Sequence, residues 1–354
     1  MHSPARWGGR LLLLAGLLAT AAIAETDKAT GEAVKLGFGT DKGAALSQAA
    51  AAGRPILAFF TTDWCSWCRR LEADVLSTPE FKQGSQGWVK LVIDAEKGDG
   101  VDWAKRFNVQ GYPTLILLDR KGEEIDRQAG YSPMPAFLQT FQDFERGVGT
   151  LSALQTQLAT APGDLPLALR VARKLEERGR AGEARAAFQA IVAQDPRNAS
   201  GVADEADADL ALAAFRVDKD AAALEAVLAR WPACEQGPQL YNILVGAASK
   251  AGDEARMRDL LNRAVAQYPE DPDLLNSYAW TCAEKGWDLE RALGLAEKAV
   301  RLSGGEPNIL DTVAELQFKL GRAGEAAATI RQALAKRPGD EYLTKQLKRF
   351  EARP

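Results

Sequence analysis

The stretch Ile56-Leu57-Ala58-Phe59-Phe60-Thr61-Thr62-Asp63-Trp64-Cys65-Ser66-Trp67-Cys68-Arg69-Arg70-Leu71 decides the reading of the first half of the chain. Its first five residues are a continuous apolar run of strand length, the pattern of a strand covered on both faces in the middle of a sheet. A short polar break follows, and Cys65 to Leu76 then returns to helical character. A cysteine at a helix N-terminus meets unpaired backbone N–H groups, whose partial positive charge favours the thiolate, the nucleophilic form. Cys65 is therefore predicted as the exposed attacking thiol. Cys68, one turn later on the same face, can reach back to resolve a mixed disulfide. Arg69 and Arg70 add positive charge nearby, and Asp63 and Glu72 oppose it.

Upstream, the Ala-rich run Asp41 to Ala52, stopped by Gly53 and Pro55, predicts a helix. Residues 25–40, rich in Gly, Thr and Lys, read as a flexible lead-in. Downstream, Ser77-Thr78-Pro79-Glu80 is a cap with proline at the first helical position. Val89 to Ile93 reads as a second strand and Val101 to Phe107 as a short helix. Thr114 to Leu118 and Glu123 to Gln128, joined through Asp119-Arg120-Lys121-Gly122, read as a hairpin, and Pro133 to Arg146 closes the unit as a helix.

A CxxC at the start of the helix after a buried strand, in Trp64-Cys65-Ser66-Trp67-Cys68, joins Gly111-Tyr112-Pro113-Thr114 before the hairpin and Lys121-Gly122 at its turn. On these residues the region 41–146 resembles the α/β thioredoxin fold, a central mixed sheet flanked by helices. Asp63-Trp64-Cys65 with Ser77-Thr78-Pro79-Glu80-Phe81 looks most like secreted reductase-type domains, including the C-terminal domain of the transmembrane thiol:disulfide interchange reductase. The resemblance implies that Pro113 is a cis-proline opposite the disulfide, leaving the Tyr112 backbone free to pair with an extended substrate. It also implies that Trp64 and Trp67 form an aromatic rim around the thiols. One position departs from thioredoxin, where a buried carboxylate six residues before the first cysteine serves the resolving thiol; that position is Phe59 here. Asp63 or solvent must then take the role, which makes Asp63 a catalytic candidate, its other reading being an exposed, solubilising acid.

Beyond residue 165 the composition shifts to Ala, Leu, Glu and Arg, and a period appears. Pro238, Pro272 and Pro307 open segments 34 and 35 residues apart, and Gly252, Gly286 and Gly321 end the first helix of each. A further copy spans Leu165 to Pro196, and 199–232 has room for a degenerate one. The pattern resembles tetratricopeptide (TPR) repeats, which predicts an all-α solenoid over 165–354, because no single pair can bury its apolar face alone. Gln317 stands where an apolar residue is expected. Asn242, Asn276 and Asp311 occupy equivalent positions and are expected to face the concave groove as a polar ladder for a partner peptide, or else to form an ordinary solvated face. Residues 147–164, with Gly147, Gly149, Pro162 and Gly163, read as the hinge between the halves.

Arg6 and Arg10 precede the apolar run Leu11 to Ala22, and Ala22-Ile23-Ala24 has the small residues of a cleavage site, so 1–24 reads as a secretory signal peptide cut after Ala24. Removing Arg6 and Arg10 leaves 42 basic against 48 acidic residues, a formal charge of −6 where the whole chain has −4, and no histidine. Triad hydrolases, histidine-containing metal sites and c-type haem attachment are excluded on that count, Arg69 standing where CxxCH needs histidine. The acidic balance argues against nucleic acid. The CxxC could otherwise be a structural disulfide or half of a zinc site, and zinc would need two ligands that no second CxxC supplies. Cys282 reads as a buried inert thiol in a repeat core, with a Cys234–Cys282 bridge as the alternative.

The expectation is a periplasmic thiol-disulfide oxidoreductase, a reductase or isomerase of client disulfides, with no cofactor beyond the Cys65/Cys68 dithiol, no metal and no membrane span after signal removal. Its partners would be client thiols, an electron donor or acceptor, and a protein docked on the repeats. The alternative is a TPR-based envelope adaptor or chaperone-like factor whose CxxC is vestigial or redox-sensing.

Overall fold

A computed structural model describes residues 28–352; the segment 1–24, expected from sequence to be a signal peptide, lies outside the described residues. The chain divides into two compact units at Thr150/Leu151.

The first unit runs α1 (Gly31–Lys35), α2 (Lys42–Ala52), β1 (Ile56–Thr61), α3 (Ser66–Leu71), a π-helical turn (Glu72–Leu76), α4 (Pro79–Gly84), β2 (Val89–Asp94), α5 (Gly100–Arg106), β3 (Thr114–Leu118), β4 (Glu124–Ala129) and α6 (Ala136–Glu145). The sheet order is β2-β1-β3-β4, with β1 parallel to β2 and antiparallel to β3, and β3 antiparallel to β4. All six residues of β1 are buried, as its unbroken apolar run requires. Alternate side chains go to opposite faces: Leu57 and Phe59 join the cluster that holds both cysteines, α4's Phe81 and α6's Phe137 and Phe141, and Ile56, Ala58 and Phe60 join α2 and α5. The helix starts follow their capping chemistry, Asp41 accepting from Ala44 N–H at 2.9 Å and Thr78 from Phe81 N–H at 3.2 Å.

Two expectations about connecting segments need correction. The lead-in is part of the domain from residue 28 on. Ala33 is fully buried, and Phe38, 3% exposed, stacks on Phe81 and meets Phe59 edge-on at 6.3 and 6.2 Å between centroids. Gly39 pairs with the outer edge of β2, its N–H donating to Lys90 O and its carbonyl accepting from Val92 N–H, both at 2.9 Å. The hinge is likewise shorter than 147–164. Gly147 and Gly149 take positive φ of 74° and 68°, but α7 (Leu151–Thr160) follows at once and buries Leu151 and Leu154 in the first cluster of the second unit.

Gly100 opens α5 hard against the end of β2: a Cβ there would lie 1.9 Å from the Asp94 carbonyl oxygen. Backbone cannot yield as a side chain does, so Gly100→Ala is expected to destabilise this unit by about 2 kcal/mol. Urea denaturation of the variant against wild type checks it; an unchanged midpoint would count against this packing.

The second unit continues as α8 (Leu165–Glu177), α9 (Ala181–Gln194), α10 (Ala203–Asp218), α11 (Ala222–Arg230), α12 (Gly237–Ala251), α13 (Glu254–Gln267), α14 (Pro272–Lys285), α15 (Leu289–Leu302), α16 (Pro307–Lys319), α17 (Ala323–Lys336) and α18 (Glu341–Glu351). α8 to α17 form five consecutive helix pairs, the degenerate stretch 199–232 among them as α10 and α11, and α18 packs against α17. Asp164, Asp271 and Asp340 cap α8, α14 and α18 through N–H groups three residues on, and Gly252 and Gly286 end α12 and α14 at φ 70°. Gln317, polar at an apolar repeat position, is buried and satisfied by the Thr329 hydroxyl at 2.8 Å. Among the described residues no helix is long and apolar enough to cross a membrane.

Candidate redox site

The sulfurs of Cys65 and Cys68 are joined, 2.02 Å apart, at the start of α3. Cys65 is the N-cap residue and its Sγ accepts the Cys68 backbone N–H at 3.0 Å. That bond carries the helix-end polarity onto the sulfur expected to attack. The exposed-thiol expectation is corrected for the disulfide form: Cys65 is 3% and Cys68 1% exposed, both packed in the cluster that holds Phe59 and Leu71.

The rings around the pair are open. Trp64 is 64% and Trp67 49% exposed. Trp64 meets Tyr112 edge to face at 5.8 Å, and Trp67 packs on Tyr131 at 5.7 Å. The Tyr112–Pro113 peptide bond is cis and Pro113 is buried. Gly130 N–H donates to Pro113 O at 2.8 Å, and among the described residues the Tyr112 amide and carbonyl take no backbone hydrogen bond. An extended strand could pair with them.

Asp63 is half-buried and its carboxylate pairs with Lys97 at 2.7 Å, Lys97 also reaching Asp94 at 3.2 Å. The Asp63 carbonyl accepts from Arg69 at 3.1 Å. These contacts tie the loop before Cys65 to the end of β2.

Sequence reasoning noted Glu72 only as an opposing charge. It lies one helical turn beyond Cys68, the spacing at which two side chains share a helix face, and is 4% exposed, with no hydrogen-bond partner for Oε1 among the described residues. Burial, and secondarily the charge of Glu32, push its carboxyl from 4.5 up to about 7, against the pull of the Ala33 N–H and Arg69. A buried carboxyl with a raised pKa thus stands four residues after Cys68 in the chain, while Phe59 leaves the strand position apolar. Tyr131 was also missed, in a loop without periodicity.

In the second unit Asn242 is exposed, Asn276 half-buried with Oδ1 unpartnered, and Asp311 buried. Asp311 is not open to a peptide: it accepts from the Tyr342 hydroxyl at 3.0 Å and from Gln346 at 3.5 Å, both on α18, and burial raises its pKa. Cys234 and Cys282 are separate buried thiols, so the alternative bridge between them is absent, and burial raises the pKa of both. No group of three or more His, Cys, Asp or Glu placed to hold a metal ion occurs among the described residues.

Comparison with known proteins places these features. Residues 43–145 match the family described as a thioredoxin-like domain. The chain is 38% identical over 93 residues to the thiol:disulfide interchange protein DsbD of Cronobacter sakazakii, covering 25% of this chain and 16% of that protein. It is 26% identical over 91 residues to the disulfide bond reductase DsbH of Chlamydia pneumoniae, covering 23% and 54%. Over 202 residues it is 26% identical to the TPR repeat-containing protein PA4667 of Pseudomonas aeruginosa, covering 54% and 32%. The chain thus spans about a sixth of the DsbD sequence it matches. Residues 43–145 are a thioredoxin-like domain whose Cys65 and Cys68 form a CxxC disulfide, followed by a stack of TPR-like helix pairs.

Proposed function

We propose that this chain is a periplasmic thiol-disulfide oxidoreductase that reduces or isomerises client disulfides, with the helical repeats recruiting a protein partner. The observation that carries the reading is the Cys65–Cys68 disulfide at a helix start, ringed by exposed Trp64 and Trp67 beside the unpaired backbone of Tyr112. Similarity to proteins named for disulfide interchange and disulfide reduction supports the direction and the envelope location.

In the reductive direction the Cys65 thiolate attacks a client sulfur, the client S–S bond breaks, and one client thiolate leaves. Cys68 then attacks the Cys65–client bond and releases the second client thiolate. The Cys65–Cys68 disulfide forms, the client has gained two electrons, and an electron donor must return two to the enzyme. Glu72 takes the proton that Cys68 gives up in the second step. A docked partner raises the local concentration of client thiols, an effect that needs no contact at the cysteines.

The reduction potential of the pair, read by thiol modification in dithiothreitol and glutathione buffers, tests the direction. A value near about −270 mV is expected; one near about −120 mV would make the protein an oxidant. A pair that does not cycle leaves only the adaptor reading.

A further inference from the structure

The two aromatic pairs beside the disulfide differ in one component. On one side Trp67 and Tyr131 hold the Arg70 guanidinium over both rings, at 5.2 and 5.1 Å from their centroids. Asp74 completes that set, pairing with Arg70 at 3.2 Å and accepting from the Tyr131 hydroxyl at 3.3 Å. On the other side Trp64 and Tyr112 make a similar pair, and the Glu96 carboxylate accepts the Trp64 indole N–H through both oxygens, at 3.1 and 3.0 Å. Tryptophan, tyrosine and carboxylate recur, and the cation is missing. Among the described residues no lysine or arginine lies over Trp64 or Tyr112, and none pairs with Glu96. The neighbouring Asp63 and Asp94 are served by Lys97.

We propose that Trp64, Tyr112 and Glu96 form a subsite for a lysine or arginine side chain of the client, close to its reacting cysteine. Trp64 precedes Cys65 in the chain and most of its surface is open, so a basic side chain in the client segment can lie on the indole face. The indole N–H holds both Glu96 oxygens at the edge of the ring, where an ammonium or guanidinium arriving on the indole face can reach an ion pair as well. The acidic chain as a whole draws cationic clients. This assignment rests on the oxidoreductase reading for its chemistry and adds the class of client; the binding of a cation there does not itself require exchange.

The test uses the full mature chain, reduced and freed of reductant, with three disulfide-bonded peptides identical except for Lys, Gln or Glu beside the attacked cysteine. Single-turnover rates read by quenched mass spectrometry are expected to favour Lys over Glu by about fivefold or more at low salt, less at high salt. The Lys-to-Glu ratio should fall toward unity in Glu96→Gln and invert in Glu96→Lys. In parallel, the Trp64 indole N–H resonance, assigned by its loss in Trp64→Phe, is followed during titration of the oxidised protein with the linear Lys and Glu peptides carrying Ser for Cys. It should shift with the Lys peptide alone. Equal rates for the three peptides with no selective shift would overturn the subsite and leave the redox reading standing. No exchange with any peptide, but a Lys-selective shift abolished by Glu96→Gln, would do the reverse.

Discussion

Cys65→Ser is expected to reduce disulfide exchange to the uncatalysed level, and Cys68→Ser to stop turnover while capturing clients as stable mixed disulfides. The two outcomes differ because the proposed mechanism gives the sulfurs different jobs. Cys65 holds the helix-start position and accepts the Cys68 N–H, which favours a thiolate there and underlies its proposed attacking role. Cys68 is the more deeply packed and has only to break a bond already within its reach. Reduced variants mixed with a disulfide-bonded client and separated without reductant show the result: a Cys68→Ser adduct that dithiothreitol releases, and none with Cys65→Ser. The opposite pattern would exchange the roles of the two residues. No adduct with either variant would leave the dithiol without a catalytic part, and the repeats would carry the function.

The parts of this site that were legible from sequence are those written in short-range pattern. An unbroken apolar run, a CxxC at the following helix start and a Tyr-Pro before a hairpin each lie within a few residues, and each constrains the backbone locally. The parts that stayed hidden depend on chain segments far apart. Phe38 stands in a Gly-rich stretch with no periodicity, and only the folded chain brings it against Phe59 and Phe81. Leu151, Leu154 and Leu158 have helical spacing, but the glycines before them and Pro162 after them read as punctuation. Asp311 had the right place in its repeat for a groove, and α18, two helices further along the chain, covers it. The Trp64–Glu96 contact joins residues 32 apart, which no spacing rule reports.

Glu72→Gln is expected to make the thioredoxin-like unit more stable and disulfide exchange slower. In wild type the carboxyl titrates near 4.5 when the chain is unfolded and near 7 when folded, because folding removes it from water and sets it near Glu32. Between those pH values the folded chain keeps a proton that the unfolded chain has released. Stability therefore falls as pH rises from about 4.5 to 7 and levels off above, a total of about 3 kcal/mol from this group. Glutamine keeps the shape and removes the charge, so the variant should be flat across that window and more stable than wild type at pH 8 by about that amount. Hydrogen exchange of the β1 amides reads the stability of this unit apart from the helical stack. The kinetic cost should appear in the second half-reaction: glutamine cannot accept the Cys68 proton, and resolution of the mixed disulfide at pH 7 should slow by roughly tenfold or more, with recovery at higher pH as water and hydroxide take over. Glu72→Asp, which restores a carboxyl one methylene shorter, should recover part of the rate. A glutamine variant that gains stability but resolves as fast as wild type at every pH would make Glu72 a buried charge with no part in the exchange. The expected pairing of a gain in stability with a loss in rate is the signature of a carboxyl kept at a cost to the fold because the resolving thiol needs it.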